Sequence, residues 1–297
     1  MYAYIIRRIL ATIPVMAVVA VFVFLLLYLT PGDPAVVIAG DYARPEDIER
    51  IREQLGLNKP LYVQFFTWVG NVLTGDLGIS IFSNLPVSKL ISQRLEPTLA
   101  LAICTTIFAV VVAVPLGVLA AWKAHTWIDR GVMLFAVMGF SVPVFVIGYV
   151  LMWVFSLTLG WFPVQGYKPI GEGIGPFLSS IALPTLALGL VYVALIARMT
   201  RASVMEVLTE DYIRTARAKG VNNRTLLMRH ALKNASVPIV TIIGVGVALL
   251  IGGVVVTESV FNIPGLGRLT IDAVLRRDYP IIQGVILIFS GIYVLVN

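Results

Sequence analysis

RMTRASVMEVLTEDYIRTARAKGVNNRTLLMRHALK, residues 198–233, is a basic, helix-prone segment set between two apolar runs. It carries eight Lys or Arg (Arg198, Arg201, Arg214, Arg217, Lys219, Arg224, Arg229, Lys233) against three acids (Glu206, Glu210, Asp211). The spacing predicts a helix that Thr209 caps. Glu210 and Asp211 fall in its first turn and Arg214, Arg217 and Lys219 later, the order that suits the helix macrodipole. Glu210 and Arg214 form an i,i+4 pair with the acid first. Gly220 stands where a glycine stop belongs. Asn222 and Asn223 make a turn, and Thr225 to Lys233 form a second short helix. Tyr212, Ile213, Leu226, Leu227 and Met228 are left to touch something. A basic segment between apolar spans also obeys the positive-inside rule by itself. Charge therefore leaves two readings open, an ordinary loop or a docking element.

On both sides of it the chain is membrane-like. Apolar residues make up 59% and charged residues 13%, and the mean hydropathy is +0.93. That balance excludes a soluble domain with a large core. The expectation is an all-α integral membrane protein with six spans. Residues 1–30 hold the N-terminus and the first helix, read as retained because its apolar run is too long for a signal peptide and no small-x-small site precedes Pro31. The others lie at about 98–122, 131–160, 177–200, 235–257 and 279–297, each long enough for a hydrocarbon core of about 30 Å. Pro115 and Gly117 are expected to kink the second. The uncharged run from Gly131 to Phe162 exceeds one span, which implies tilt or an interfacial part. Residues 31–96 form a polar external segment with an amphipathic helix at Pro45–Leu55 (Ile48, Ile51 and Leu55 on one face, Gly56 as stop). A second helix runs from Leu61 to Leu73. Gly244, Gly246, Gly252 and Gly253 give the fifth span a small-residue face that either another helix or a transport path can approach. Glu258 to Asp278 reads as a loop.

Several strings resemble one family. DYIRTARAKG (211–220) with HALKNA (230–235), TPGDP (30–34), GLNKPLYVQFFTWVGNVLTGDLGIS (56–80), IPGLG (263–267) and LRRDYP (275–280) look like permease subunits of ABC importers, in the dipeptide/oligopeptide/nickel branch. The resemblance implies the type I ABC importer permease fold, with a helical extracytoplasmic loop between helices 1 and 2. It implies that 201–233 is the cytoplasmic coupling (EAA) loop that docks on an ATPase. The residues it assigns to that role are Asp211, Tyr212, Arg214, Thr215, Ala216, Arg217, Ala218, Lys219, Gly220, His230 and Leu232. The general pattern is Glu-Ala-Ala, three residues, Gly, then Leu-Pro. Here Arg214-Thr215-Ala216, Gly220 and Leu232-Lys233 stand at those positions, so the second Ala, the Gly and the Leu agree. Members of the family usually continue past Asn297 with a short tail.

The implied partners are a second homologous permease, two ATP-binding subunits and an extracytoplasmic solute-binding protein, in the bacterial inner membrane. ATP and Mg belong to the ATPase subunits, with no cofactor on this chain. The implied cargo is a dipeptide or oligopeptide, with nickel, glutathione or another small solute as the alternative. A stand-alone channel is the reading from another class.

Charge placement fits that topology. With the N-terminus inside, residues 1–8, 123–130 and 198–233 hold twelve Lys/Arg and four acids, and the other side holds ten and twelve. The split explains the basic balance without nucleic acid. No GxxxxGK[ST] is present, so no P-loop cradles phosphate. His125 and His230 stand far apart without a ligand cluster, and Cys104 is alone in an apolar run, so neither metal nor disulfide is expected. The spans read as nearly free of ionisable groups, which weighs against an ion-driven carrier and against a membrane enzyme.

Overall fold

The computed structural model describes residues 2–29, 33, 35–36, 44–54 and 56–296. Most of TPGDP (30–34), Leu55, the Ile51 side chain and Asn297 lie outside the described residues. The described chain is helical, with one isolated β-bridge between Ile79 and Pro86. The helices are α1 (Tyr2–Leu29), α2 (Pro45–Gln54), α3 (Leu61–Leu73), α4 (Val87–Trp122), α5 (Trp127–Ser141), α6 (Val144–Thr158), α7 (Ile174–Leu208), α8 (Asp211–Ala218), α9 (Asn223–Val260), α10 (Leu266–Arg276) and α11 (Tyr279–Val296). Five of these are long and apolar enough to cross a membrane, and the bent pair α5–α6 makes up to six. A helix bonds most of its backbone groups internally, which is what a bilayer core requires of a spanning segment.

Two compact units form. One comprises residues up to Leu95 together with Leu269–Leu295. Here α1 meets α3 through rings: Phe24 lies 5.3 Å from Phe65 and 5.8 Å from Trp68, centroid to centroid. Tyr28 donates its hydroxyl hydrogen bond to Gln64. Gln64 in turn donates to the Lys59 carbonyl at 2.7 Å. Asp33 accepts from the Ala35 N–H (2.9 Å) and pairs with Arg52 of α2. Gln283 of α11 donates to the Val23 carbonyl (3.2 Å). Asp278 is buried and accepts from the Ser80 hydroxyl at 2.6 Å.

The other unit is Glu96–Arg268. Its centre is α7. Buried residues make up 72% of the most apolar window of α7, against 22% for α4 and for α9, so the neighbours pack around α7. Leu188, Tyr192, Ile196 and Ala197 meet Leu101, Ala109 and Ala113 of α4 and Leu250 and Val254 of α9 in one apolar core. Small residues set the helix spacings. A Cβ on Gly117 would stand 2.6 Å from the Thr200 Cβ and 2.7 Å from the Ala197 carbonyl oxygen, and one on Gly253 2.7 Å from Leu188.

Four expectations change. The second span is longer than expected and unbroken: α4 runs from Val87 through Pro97 and Pro115, and Gly117 serves the close approach to α7. The long third run does not form one tilted helix. It breaks by 101° between Ser141 and Val144. Pro143 is the cause, because the residue before a proline avoids helical ψ, and Val142 is extended at φ −93, ψ 126. Residues 258–278 are not a loop, since α9 continues to Val260 and α10 occupies Leu266–Arg276. The small-residue face of α9 divides: Gly246 and Gly253 touch Tyr192 and Leu188, whereas a Cβ on Gly244 or Gly252 would meet nothing within 4 Å.

Candidate functional site

The 209–233 segment begins where α7 ends. Thr209 closes α7 instead of opening the next helix: its N–H and its hydroxyl both donate to the Glu206 carbonyl, at 3.1 and 2.7 Å. Glu210 takes the capping position of α8 with extended backbone (ψ 146), and its side chain makes no capping bond. Nor does Glu210 pair with Arg214. The Arg214 guanidinium reaches Asp211 at 3.2 Å, with 73% and 94% of the two side chains exposed. A pair so exposed contributes little.

What fixes α8 is Ile213, which is fully buried among Val118, Ala121, Val204, Leu226, Ala231, Ala235 and Ile239. Burying such a side chain contributes about 1.5–3 kcal/mol. Two polar contacts add orientation. The Arg217 guanidinium lies over the Trp122 ring, 5.9 Å from its centroid. Asn234 donates to the Tyr212 hydroxyl at 2.6 Å.

The end of α8 is a glycine turn. Gly220 has φ +78. Its N–H donates to the Arg217 carbonyl (3.0 Å), and the Val221 N–H donates to the Ala216 carbonyl (3.2 Å). That pair of bonds, with Val221 and Ala216 both packed on the Ile213 cluster, is a Schellman motif. Asn222 then caps α9, accepting from the Thr225 N–H at 2.8 Å. The second helix does not stop at Lys233. It passes through a π-turn at Leu226–Ala231 and continues as α9 into the next apolar run.

The eleven residues assigned to the segment from sequence therefore sit on one short helix and on the first turns of α9. Asp211, Tyr212, Arg214, Thr215, Arg217, Ala218, Lys219 and Gly220 are exposed, while Ala216, His230 and Leu232 are half-buried. Of the five apolar residues left to touch something, Ile213 and Leu226 face the chain's own core and Leu227 packs against it. Tyr212 (40% exposed) and Met228 (57%) remain on the surface.

Two polar knots were not anticipated. Arg201 grips Asp129 through Nε–Oδ1 at 2.5 Å and Nη2–Oδ2 at 2.7 Å, and Asp129 also accepts from the His125 N–H at 2.9 Å. Glu258 is completely buried. It accepts from the Thr98 hydroxyl at 2.5 Å and from the Arg268 N–H at 3.0 Å. A Cβ on Gly265 would fall on its carboxylate, so the glycines of IPGLG leave room for the acid. The sequence carried one usable signal, an acid at the end of an apolar run followed by two glycines. Glu258 lies just past the expected span 235–257, and the longer α9 carries it as a buried acid. Among the described residues no group of three or more His, Cys, Asp or Glu forms a metal-binding cluster.

Comparison with known proteins places this architecture. Residues 113–297 match the model of the binding-protein-dependent transport system inner membrane component, and residues 1–102 match that of its N-terminal region. The "Probable peptide ABC transporter permease protein y4tP" of Sinorhizobium fredii is 54% identical over 297 residues, all of this chain and 95% of that protein. The glutathione transport system permease protein GsiC of Escherichia coli K12 is 46% identical over 297 residues, covering 100% and 94%. Among solved structures, an inward-facing MetNI methionine ABC transporter superposes with a TM-score of 0.58 at 18% identity, covering 70% of this chain and 91% of that one. With its helices, its bent α5–α6 pair and its 209–233 segment in that setting, the chain belongs to the inner-membrane permease components of binding-protein-dependent ABC importers.

Proposed function

We propose that this chain is one of two permease subunits of an ATP-driven importer of short peptides, and that 209–233 receives the stroke of the ATPase. The observation that carries the reading is the construction of α8. It is an eight-residue helix, pinned inward by Ile213 and closed by Gly220, with a basic outward face and short connections to the helices on either side. Its neighbours are α7 and α9, the two helices whose side chains meet at the centre of the unit. A push on α8 is therefore delivered to two spans at once.

In this proposal both termini and the 209–233 segment lie in the cytoplasm, where positive charge accumulates. α5 and α6 cross the membrane once together. The exposed face of α9 at Val237, Val245, Leu249 and Gly252 meets the second permease or the transport path. Two ATP-binding subunits hold ATP and Mg, and this chain contributes no catalytic group. Tyr212 and Met228 enter a groove on one of those subunits as apolar anchors, and Arg214, Lys219 and Arg229 fix orientation and encounter rate. A solute-binding protein delivers cargo from the other side. The naming of relatives for peptide and for glutathione transport supports a peptide-like cargo.

The test is reconstitution of the complex in liposomes with its binding protein. Uptake of a labelled dipeptide or tripeptide is expected to require ATP and to be competed by other short peptides and not by free amino acids. Uptake that continues without ATP, or selectivity for free amino acids alone, would remove the proposal.

A further inference from the structure

We propose that the Asp129–Arg201 bridge is the link that makes α5, and through it the bent α5–α6 pair, follow the movement of α7; the inference rests on the coupling reading of 209–233. Arg201 lies two turns before α7 ends at Leu208, so it stands directly upstream of the segment that receives the stroke. Its guanidinium gives Asp129 two parallel N–H bonds, at 2.5 and 2.7 Å. A fork of this kind fixes orientation as well as separation. Only 5% of the Asp129 side chain and 24% of the Arg201 side chain are exposed, so water does not compete for most of the contact.

The chain is arranged to place Asp129 there. The His125 N–H donates to the same carboxylate, and His125 is held at φ +65, a left-handed conformation uncommon for non-glycine residues. Ten residues along α5, Gly139 makes the second contact: a Cβ there would lie 3.2 Å from the Leu190 carbonyl oxygen of α7. Beside them is a cavity of about 130 Å³ whose lining runs from Met133 to Ser141 on α5 and from Ala194 to Arg198 on α7. Apolar packing is incomplete along that stretch. At this end the ion pair adds a directional contact to the packing of α5 on α7.

The test uses the full complex with its ATPase subunits and binding protein. Asp129→Asn and Arg201→Met are each expected to lower uptake per ATP hydrolysed about tenfold, the scale of a typical coupling free energy. The reversed pair, Asp129→Arg with Arg201→Asp, is expected to recover most of that ratio. A merely structural role would reduce hydrolysis and uptake together at an unchanged ratio, and that result would overturn the proposal. A second measurement leaves the bridge intact. With Cys104→Ala, spin labels at Leu134→Cys on α5 and Ala202→Cys on α7 should keep their separation within about 2 Å between nucleotide-free and ATP-bound states, whereas a change of about 5 Å, one helical turn, would show that the two helices slide apart. Failure of the coupling reading shows separately, as a wild-type complex in which hydrolysis and uptake are already independent.

Discussion

Substituting Gly220 separates backbone conformation from bulk. Gly220 sits at φ +78, and a Cβ built there meets nothing within 4 Å. A side chain therefore costs nothing through contact with this chain, and the whole penalty is conformational. For alanine the left-handed region costs about 1–2 kcal/mol. Valine costs more, because a β-branched residue at positive φ is an outlier, and asparagine less, because it visits that region routinely. The opposing term is of the same size, since the buried Ile213 that holds α8 contributes about 1.5–3 kcal/mol. A penalty of about 1–2 kcal/mol changes the ratio of docked to undocked α8 by a factor of roughly 5–30. The assay is uptake per ATP hydrolysed in the reconstituted complex, with hydrogen exchange across 211–221 as the structural readout. The expected order is Gly220 close to Gly220→Asn, then Gly220→Ala, then Gly220→Val. If Gly220→Asn were as impaired as Gly220→Val, size would be deciding and the conformational reasoning would be refuted. If Gly220→Val transported normally, the lever would lose its support.

Other outcomes follow from burial and charge. Ile213→Asp places a carboxylate in a sealed apolar cluster and should destabilise the unit by about 3 kcal/mol or more, whereas Met228→Asp, at an exposed position, should leave thermal stability in detergent unchanged. Glu258→Ala removes the acceptor of the Thr98 hydroxyl and the Arg268 N–H and should cost about 2–4 kcal/mol. Gly265→Ala should cost a comparable amount by crowding the same carboxylate, and Glu258→Gln clearly less, as read from thermal unfolding in detergent. The hydrogen bond from Arg52, followed by that from the Ala35 N–H, holds the Asp33 carboxyl below its ordinary pKa. Its contribution is therefore present above the ordinary aspartate value of about 3.9 and is lost as pH falls through the lower, folded value. Protease sensitivity of the 44–60 region should stay flat from neutral pH down to about 4 and rise only below, and Asp33→Asn should raise it at all pH values.

Much of the architecture is legible in the residues because helix signals are local. Pro60 before α3 and Gly75 after it bound Leu61–Leu73, and Gly220 announces its turn by being the residue that tolerates φ +78. Other boundaries were lost where a rule was too coarse. Counting from the first charge-free residue misses the polar turns of α4 from Val87 to Glu96, which are helical nonetheless. A run without charges conceals the break at Pro143. The face of the 209–233 segment was legible only as composition. Alternation shows that Ile213 and Leu226 are apolar, and nothing in the stretch says that their pocket is Val118 and Ala121, about ninety residues upstream. The two polar knots are long-range in the same sense. Asp129 and Arg201 are 72 residues apart, and Thr98 and Glu258 160. Only the helix packing brings them together.

The central claim is that the outward face of 209–233 touches the ATPase. It is tested most directly by a photo-reactive benzoylphenylalanine placed in turn at Tyr212, at Met228 and at the exposed Trp161, in the assembled complex. Illumination is expected to give an adduct with the ATP-binding subunit at Tyr212 and Met228 and none at Trp161. An ATPase that co-purifies yet forms no adduct from either position would contradict the account, and 209–233 would then be an ordinary positive-inside segment.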